Sequence, residues 1–399
     1  MHDYATVFDA SWREDVDAWI VRARRHPSVV LYSLGNEIPE TAKADGILQA
    51  RALAERVRSL DPTRPTTIAL NAFLSVLEDV AVSFAERIAA AGSPEAAANE
   101  IAEENGGAQG GVNTAGGMMD VIAGSPATQE RVREVLSIVD VGGVNYAESL
   151  YDSEHLTGEG LILVGSETFA GRVGHAWPAI ADNPRVLGDF TWTGWDYLGE
   201  VGIGAIHYAY EGHYTLEAAY PWRFAFCGDL DTTGERRPQS FYREIAFGLR
   251  HSPYLAVERP EAFGRVLAAR QGQWCWPEVE HAWDLDAEVG TKLNVDVYSD
   301  AEEVELFVNG HSVGRARVGE EEPFRARIAV EWQPGELLAV AYADGEETGR
   351  DVLATPGSPE RVEVRVERDR VAPVPTPPFS PRSPSPMRPV RASIGQIRK

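Results

Sequence analysis

Two glutamates stand where a strand-like run of residues gives out. Glu37 closes VVLYSLGNE and Glu167 closes LILVGSE. In an α/β barrel the C-terminal strand ends and the loops beyond them form the cleft, so a carboxylate there is placed for chemistry. Two such carboxylates on different strands of one barrel suit retaining hydrolysis of a glycosidic bond. One attacks, while the other protonates the leaving group and then activates water, with the carboxyl groups about 5–5.5 Å apart. By position alone, each glutamate reads equally well as a charge that opens a solvated loop.

The elements around the two residues follow an alternating rhythm. Residues 10–25 (ASWREDVDAWIVRARR) set Val16, Trp19, Ile20 and Ala23 at helical spacing, acids early and bases late, as the helix dipole favours. His26-Pro27 stops that helix, and VVLYSL (29–34) is a short apolar run of the kind that makes a buried parallel strand. A second helix (ILQARALAERVRSL) ends at DPTRP, and TTIAL (66–70) is the next buried strand. VREVLSIV (132–139) reads as helix, and VDVGGVNY (139–146), LILVGSE (161–167) and VLGDFTWTGWDYL (186–198) as three more strands. Helix alternating with buried strand is the pattern of an α/β barrel or a doubly wound sheet. Residues 88–125, with GGAQGGVNTAGG at 106–117, read as a flexible loop over one face. A phosphate-cradling loop would need a strand before the glycines and Lys-Ser/Thr after them.

From about residue 270 the hydrophobic period changes to two. KLNVDVYS (292–299), EVELFVNG (303–310), FRARIAVEW (324–332) and LLAVAYADG (337–345) alternate, with NG and DG as turns. The domain reading is a barrel segment over 1–255 with 88–125 as an insertion, then an antiparallel immunoglobulin-like β-sandwich over 270–356. Residues 357–399 open like a further β-domain and run into a Pro/Ser/Arg-rich tail, expected to be disordered.

Composition narrows the classes of function. The chain has 61 acidic and 37 basic residues, a formal net charge of −24, which argues against a nucleic-acid or anionic-membrane partner. No uncharged run approaches the ~20 apolar residues of a membrane span, and MHDYATVFDASWRED cannot serve as a secretory apolar region. The expectation is a soluble cytoplasmic protein, with homo-oligomerisation open. Cys227 and Cys275 alone give neither a disulfide framework nor a Cys-based zinc site. No His/Asp/Glu cluster has metal-ligand spacing and there is no nucleotide fingerprint, so no metal site and no required cofactor are expected. The sequence leaves bound Mg²⁺ or Na⁺ open. Ten Trp and thirteen Tyr suit stacking on sugar faces and suit a core equally. His26, at a helix–strand junction before Pro27, reads as structural.

The words around the two glutamates favour the chemical reading. RHPSVVLYSLGNE (25–37) closely resembles the acid/base segment of glycoside hydrolase family 2, the β-galactosidase, β-glucuronidase and β-mannosidase family, and LILVGSET (161–168) resembles its nucleophile segment. GDFTWTGWDYLGE (188–200) resembles the strand that follows, and GDLDTTGERRPQSFYRE (228–244) the segment that closes the barrel. VELFVNGHSVG (304–314) resembles the β-domain that follows the barrel in one bacterial β-galactosidase subgroup. The resemblance covers roughly residues 1–365. It implies a (β/α)8 TIM-barrel catalytic domain of which this chain supplies strands four to eight, followed by the β-sandwich.

What the resemblance implies for single residues is as follows. Glu37 would be the acid/base, its pKa raised by the like charge of Glu167, and Glu167 the nucleophile. Asn36 would bond the sugar 2-hydroxyl, and Tyr146 would hydrogen-bond the nucleophile. Trp192 and Asp196 would occupy substrate-facing positions of the last strand. Terminal β-linked sugars are the implied substrates. β-Galactosides are favoured by the sandwich. β-Glucuronides are disfavoured because FAFCGDLDTTGERRP lacks the Asn-x-Lys pair of that activity. β-Mannosides stay open.

The family places two β-domains and three barrel strands before the LGNE segment, whereas here Glu37 follows Met1 by about one helix. The expectation is the C-terminal portion of a longer hydrolase, with open sheet edges prone to aggregation. The rival expectation is an inactive remnant or a non-catalytic carbohydrate-interacting protein.

Overall fold

The computed structural model describes residues 4, 6–77, 82, 86, 89–90, 92, 115–157, 160–208, 218, 220–266 and 274–358. Most of the expected loop at 88–114 and the C-terminal tail lie outside these.

Helix α1 (Phe8–Ala23) buries Trp12, Val16 and Ile20, one residue per turn, against Tyr32, Leu53 and Val57. It hands the chain to β1 (Tyr32–Asn36). Helix α2 (Ala44–Leu60) buries Ala50, Leu53, Ala54 and Val57 at the same spacing. Asp61-Pro62 ends it, since proline disfavours helical geometry in the residue before it. β2 (Thr66–Leu70), nearly all buried, follows. Helices α3 (Ala115–Ala123) and α4 (Pro126–Leu136) lead to β3 (Val141–Asn145), and β4 (Leu163–Phe169), α5 (Val173–Asp182), β5 (Val186–Trp192) and α6 (Pro238–Ala246) complete the unit. The five strands form one sheet in the order β1-β2-β3-β4-β5, every pairing parallel. This is a partial TIM-barrel-like layer with helices packed against it. Its core gathers Ile68, Leu70, Val132, Leu136, Leu150 and Leu163. Gly143 is required where β3 meets β2, because a Cβ there would lie 2.2 Å from the Ile68 carbonyl oxygen.

Two details depart from the sequence reading. Residues 115–123, assigned above to a loop, are helical, and Ala123 is 1% exposed in the core. The glycines at its start masked an apolar stretch whose last residue, Ala123, packs into the barrel core. Second, Tyr254–Glu258 forms β6, a strand of the sandwich, although the sequence boundaries put its first two residues in the barrel and the rest between the two domains. All five residues are buried, so YLAVE carries no period-two signal.

The sandwich consists of two antiparallel four-stranded sheets. One has the order β11-β8-β6-β7 and the other β10-β9-β12-β13. The strands are β7 (Val279–Glu280), β8 (Lys292–Tyr298), β9 (Glu303–Val308), β10 (His311–Arg317), β11 (Arg325–Glu331), β12 (Glu336–Ala343) and β13 (Glu346–Ala354). Val304, Leu306 and Val308 alternate inward along β9 and meet Leu293, Val295 and Val297 of β8. The sandwich is packed onto the barrel layer through Val173, Tyr242, Ile245, Tyr254, Trp276 and Tyr298, which form one cluster. No described helix is long and apolar enough to cross a membrane.

Candidate active site

The C-terminal ends of β1 to β5 converge four of the expected residues. Glu37 follows β1, and its backbone N–H donates to the Ala69 carbonyl at 2.8 Å, continuing the ladder with β2. Its φ is +50°, a left-handed conformation that turns the side chain out of the strand path. Tyr146, just after β3, repeats this at φ +53°, with its N–H on the Glu167 carbonyl at 2.8 Å. Strand geometry alone would aim neither residue this way.

Two amides converge on Glu37. Asn145 Nδ2 donates to Glu37 Oε1 at 3.1 Å and to Asn36 Oδ1 at 3.2 Å, while its own Oδ1 accepts from Ser166 Oγ at 2.6 Å. Asn71, capping the short helical turn after β2, donates to Glu37 Oε1 at 2.9 Å. Asn145 and Glu167 are neighbours across the β3–β4 register, and the amides of Asn145 and Asn36 both favour the ionised form of Glu167. Tyr146 Oη donates to Glu167 Oε2 at 2.9 Å and accepts from Trp274 Nε1 at 3.2 Å.

Burial raises Glu167 from 4.5 to about 7. The Tyr146 hydrogen bond opposes this, and the like charge of Glu37 adds to the rise. Tyr146, buried and beside Glu167, is pushed well above the ordinary phenol range, so it stays a neutral donor.

Trp192 ends β5 beside this group and packs against the cluster of Tyr146, Phe169, Ile203, Cys227 and Trp274. Its indole donates to Tyr197 Oη at 2.9 Å, and that hydroxyl donates to Glu200. Asp196 goes elsewhere. Its side chain is 4% exposed, its Oδ1 accepts from the Phe226 N–H at 2.9 Å, and its Oδ2 lies 3.8 Å from Arg237. That carboxylate is occupied in holding the 226–237 loop, which corrects the expectation that it faces substrate.

Three partners escaped the sequence reading. Asn71 and Asn145 sit at strand ends, in TTIALN and GVNY, so the position that singled out the glutamates also pointed to them. Trp274 lies more than a hundred residues from Tyr146 and left no local signal. Close to the site a second carboxyl is buried. The Glu148 side chain is 10% exposed, Arg172 is 3.7 Å from its Oε2, and its Oε1 has no hydrogen-bond partner among the described residues. Burial raises it to about 7, with Asp120 and Asp189 contributing. Among the described residues no group of three or more His, Cys, Asp or Glu side chains could hold a metal ion.

Known proteins bear on this arrangement. Residues 7–131 match the family model described as glycosyl hydrolases family 2, TIM barrel domain, and residues 290–349 match a domain of unknown function, DUF4982. A putative beta-glucuronidase of Formosa agariphila is 23% identical over 90% of this chain and 31% of its own length. Beta-galactosidase BoGH2A of Bacteroides ovatus is 24% identical over 92% of this chain and 41% of its own. A glycosyl hydrolase family 2 member from Bacteroides cellulosilyticus superposes with a TM-score of 0.69 at 30% identity, covering 92% of this chain and 40% of that one. A second, from strain DSM 14838, gives 0.65 at 27%, covering 92% and 39%. The chain thus spans between about a third and two fifths of these relatives. The first third of the chain matches the barrel model of glycoside hydrolase family 2, and along nine-tenths of its length the chain is similar to members of that family.

Proposed function

We propose that this chain carries the two-glutamate centre of a retaining β-glycosidase, with Glu167 as nucleophile and Glu37 as acid and then base. The observation that carries the reading is the end of β3, where Asn145 donates to Glu37 at 3.1 Å and the next residue, Tyr146, donates to Glu167 at 2.9 Å, so that one short segment holds both carboxylates. Retaining hydrolysis needs two carboxyl groups held about 5–5.5 Å apart, which adjoining anchors favour. In the first half-reaction Glu167 attacks the anomeric carbon, and Glu37 protonates the departing oxygen. In the second, Glu37 takes a proton from water as that water displaces the sugar from Glu167. Asn36, bridged to Asn145, is the candidate donor to the 2-hydroxyl, and Trp192 the apolar wall.

A terminal β-galactoside is the favoured substrate. The support is the BoGH2A match along nearly the whole chain and the missing Asn-x-Lys pair. Intact mass after exposure to a 2-deoxy-2-fluoro-β-galactosyl fluoride, with peptide mapping, tests both parts. A one-sugar adduct on Glu167 is expected. An adduct elsewhere refutes the residue assignment, and an adduct only with the glucurono or manno analogue refutes the sugar.

One observation favours a second reading, an incomplete site acting without turnover. β1 and β5 are the outer strands of the sheet, and Leu187 and Phe190 of β5 are 58% and 62% exposed. A folded chain giving no adduct with any of the three sugars would support it.

A further inference from the structure

Residues 274–276 face three ways. Trp276 points into the sandwich side, where its indole donates to Tyr298 Oη of β8 at 3.1 Å. Cys275 Sγ lies 2.9 Å from the Ala205 carbonyl oxygen. Trp274 points the other way, into the barrel, and closes on Tyr146 and Phe169. The ring centroids are 5.3 Å from Trp274 to Tyr146, 4.8 Å to Phe169, and 4.4 Å between Tyr146 and Phe169. All three are nearly inaccessible to water, at 6%, 5% and 1% exposure for Trp274, Tyr146 and Phe169.

We propose that Trp274, carried on the segment between the sandwich strands β6 and β7, is a positioning residue that commits the single hydroxyl proton of Tyr146 to Glu167. The proposal rests on the assignment of Glu167 given above.

The argument is one of counting donors. An indole N–H can only donate, and a phenol has one proton and two acceptor lone pairs. Trp274 Nε1 sits 3.2 Å from Tyr146 Oη, so the oxygen must accept there, and its proton is left for the carboxylate at 2.9 Å. With Tyr146 buried, no other partner among the described residues competes for either role. Donation into the phenol oxygen also polarises its O–H, which strengthens the bond to Glu167. The catalytic geometry of the barrel therefore depends on a residue the sandwich presents.

The test uses the full chain with Trp274→Phe, which keeps a ring and removes the N–H, Tyr146→Phe, and the double variant. Carboxyl ¹³C NMR of glutamate-labelled protein reads the Glu167 titration, with Glu167→Gln assigning the signal. Tyr146 and Glu37 are the titratable groups acting on it. Trp274→Phe is expected to raise the Glu167 pKa by about half a pH unit, and Tyr146→Phe by about one. The double variant should match Tyr146→Phe alone. Fluoro-sugar trapping should slow about threefold to tenfold in Trp274→Phe. An unmoved Glu167 titration in Trp274→Phe overturns the proposal. So does a double variant whose shift is the sum of the single ones, because Trp274 would then act by packing and not through the phenol. Should Trp274→Phe fail to fold, 3-benzothienylalanine at 274, which replaces N–H by sulfur at nearly constant shape, gives the same readings. The NMR titration needs no turnover. A chain that traps no sugar but shows the expected shifts contradicts the proposed function and leaves the relay standing.

Discussion

Replacing Glu148 with Gln should stabilise the protein at alkaline pH and not at acid pH. The Glu148 carboxyl is raised by burial from 4.5 to about 7, Arg172 offsets this only from 3.7 Å, and one oxygen lacks a hydrogen-bond partner among the described residues. The folded state therefore prefers the protonated acid. Below pH 4.5 the acid is protonated whether the chain is folded or not, and burial is uncharged. As pH rises from 4.5 to about 7, the unfolded chain ionises first, and folding must then either hold a proton or bury a charge. The cost is complete above about pH 7, and an interval of that width corresponds to about 3 kcal/mol. Between pH 5 and pH 8 some two to three kcal/mol of relative stabilisation should develop in Glu148→Gln, about 2.5 kcal/mol on the same arithmetic. Urea unfolding of wild type and variant at both pH values, followed by near-ultraviolet circular dichroism of the barrel aromatics, measures it. A stability difference that does not change with pH would refute the reasoning. A variant less stable at pH 8 would show that Glu148 is bound as a carboxylate.

Trapping by a fluoro-sugar needs Glu167 ionised, so its rate should climb with pH through about 7, and a flat profile between about pH 5 and 8 would contradict the raised carboxyl. Asn145→Ala removes donors from Glu37 and Asn36 and should slow trapping about tenfold to a hundredfold with the fold retained by circular dichroism. Asp196→Asn keeps the acceptor for the Phe226 N–H and should leave KM for an aryl galactoside within about threefold, while Asp196→Ala lowers Tm; a large KM change in the Asn variant would return Asp196 to the substrate side. In the sandwich, Arg327 binds the buried Asp296 in bidentate fashion at 2.7 and 2.8 Å, and Asp296→Ala should destabilise by about 2–4 kcal/mol in urea melts.

The strands of the barrel layer were legible because each is a short apolar run flanked by helix and turn, and TTIAL (66–70) coincides with β2 residue for residue. Glu37, Glu167, Asn36 and Tyr146 were reachable because strand-end position and local wording agree. What escaped is of another kind. YLAVE hid its membership of the sandwich because it is buried on both faces. Asp196 sits in a motif beside the site, yet Arg237 and the Phe226 amide, far along the chain, claim its oxygens. Trp274 reaches Tyr146 across 128 residues. Contacts made by the closing of the fold leave no periodicity in the sequence to be read.

The left-handed backbone at Glu37 and Tyr146 has a consequence for how such a site ages. A non-glycine residue held there costs on the order of 1–3 kcal/mol, and glycine relieves most of it. At Tyr146 the buried ring holds the residue in place, because deleting it would cost more core packing than the backbone relief returns. At Glu37, only partly buried, the substitution that calms the backbone is the one that deletes the carboxylate, and stability and activity are opposed there. A lineage selected only to keep its fold would drift toward glycine at that strand end, shedding the chemistry without loss of the fold.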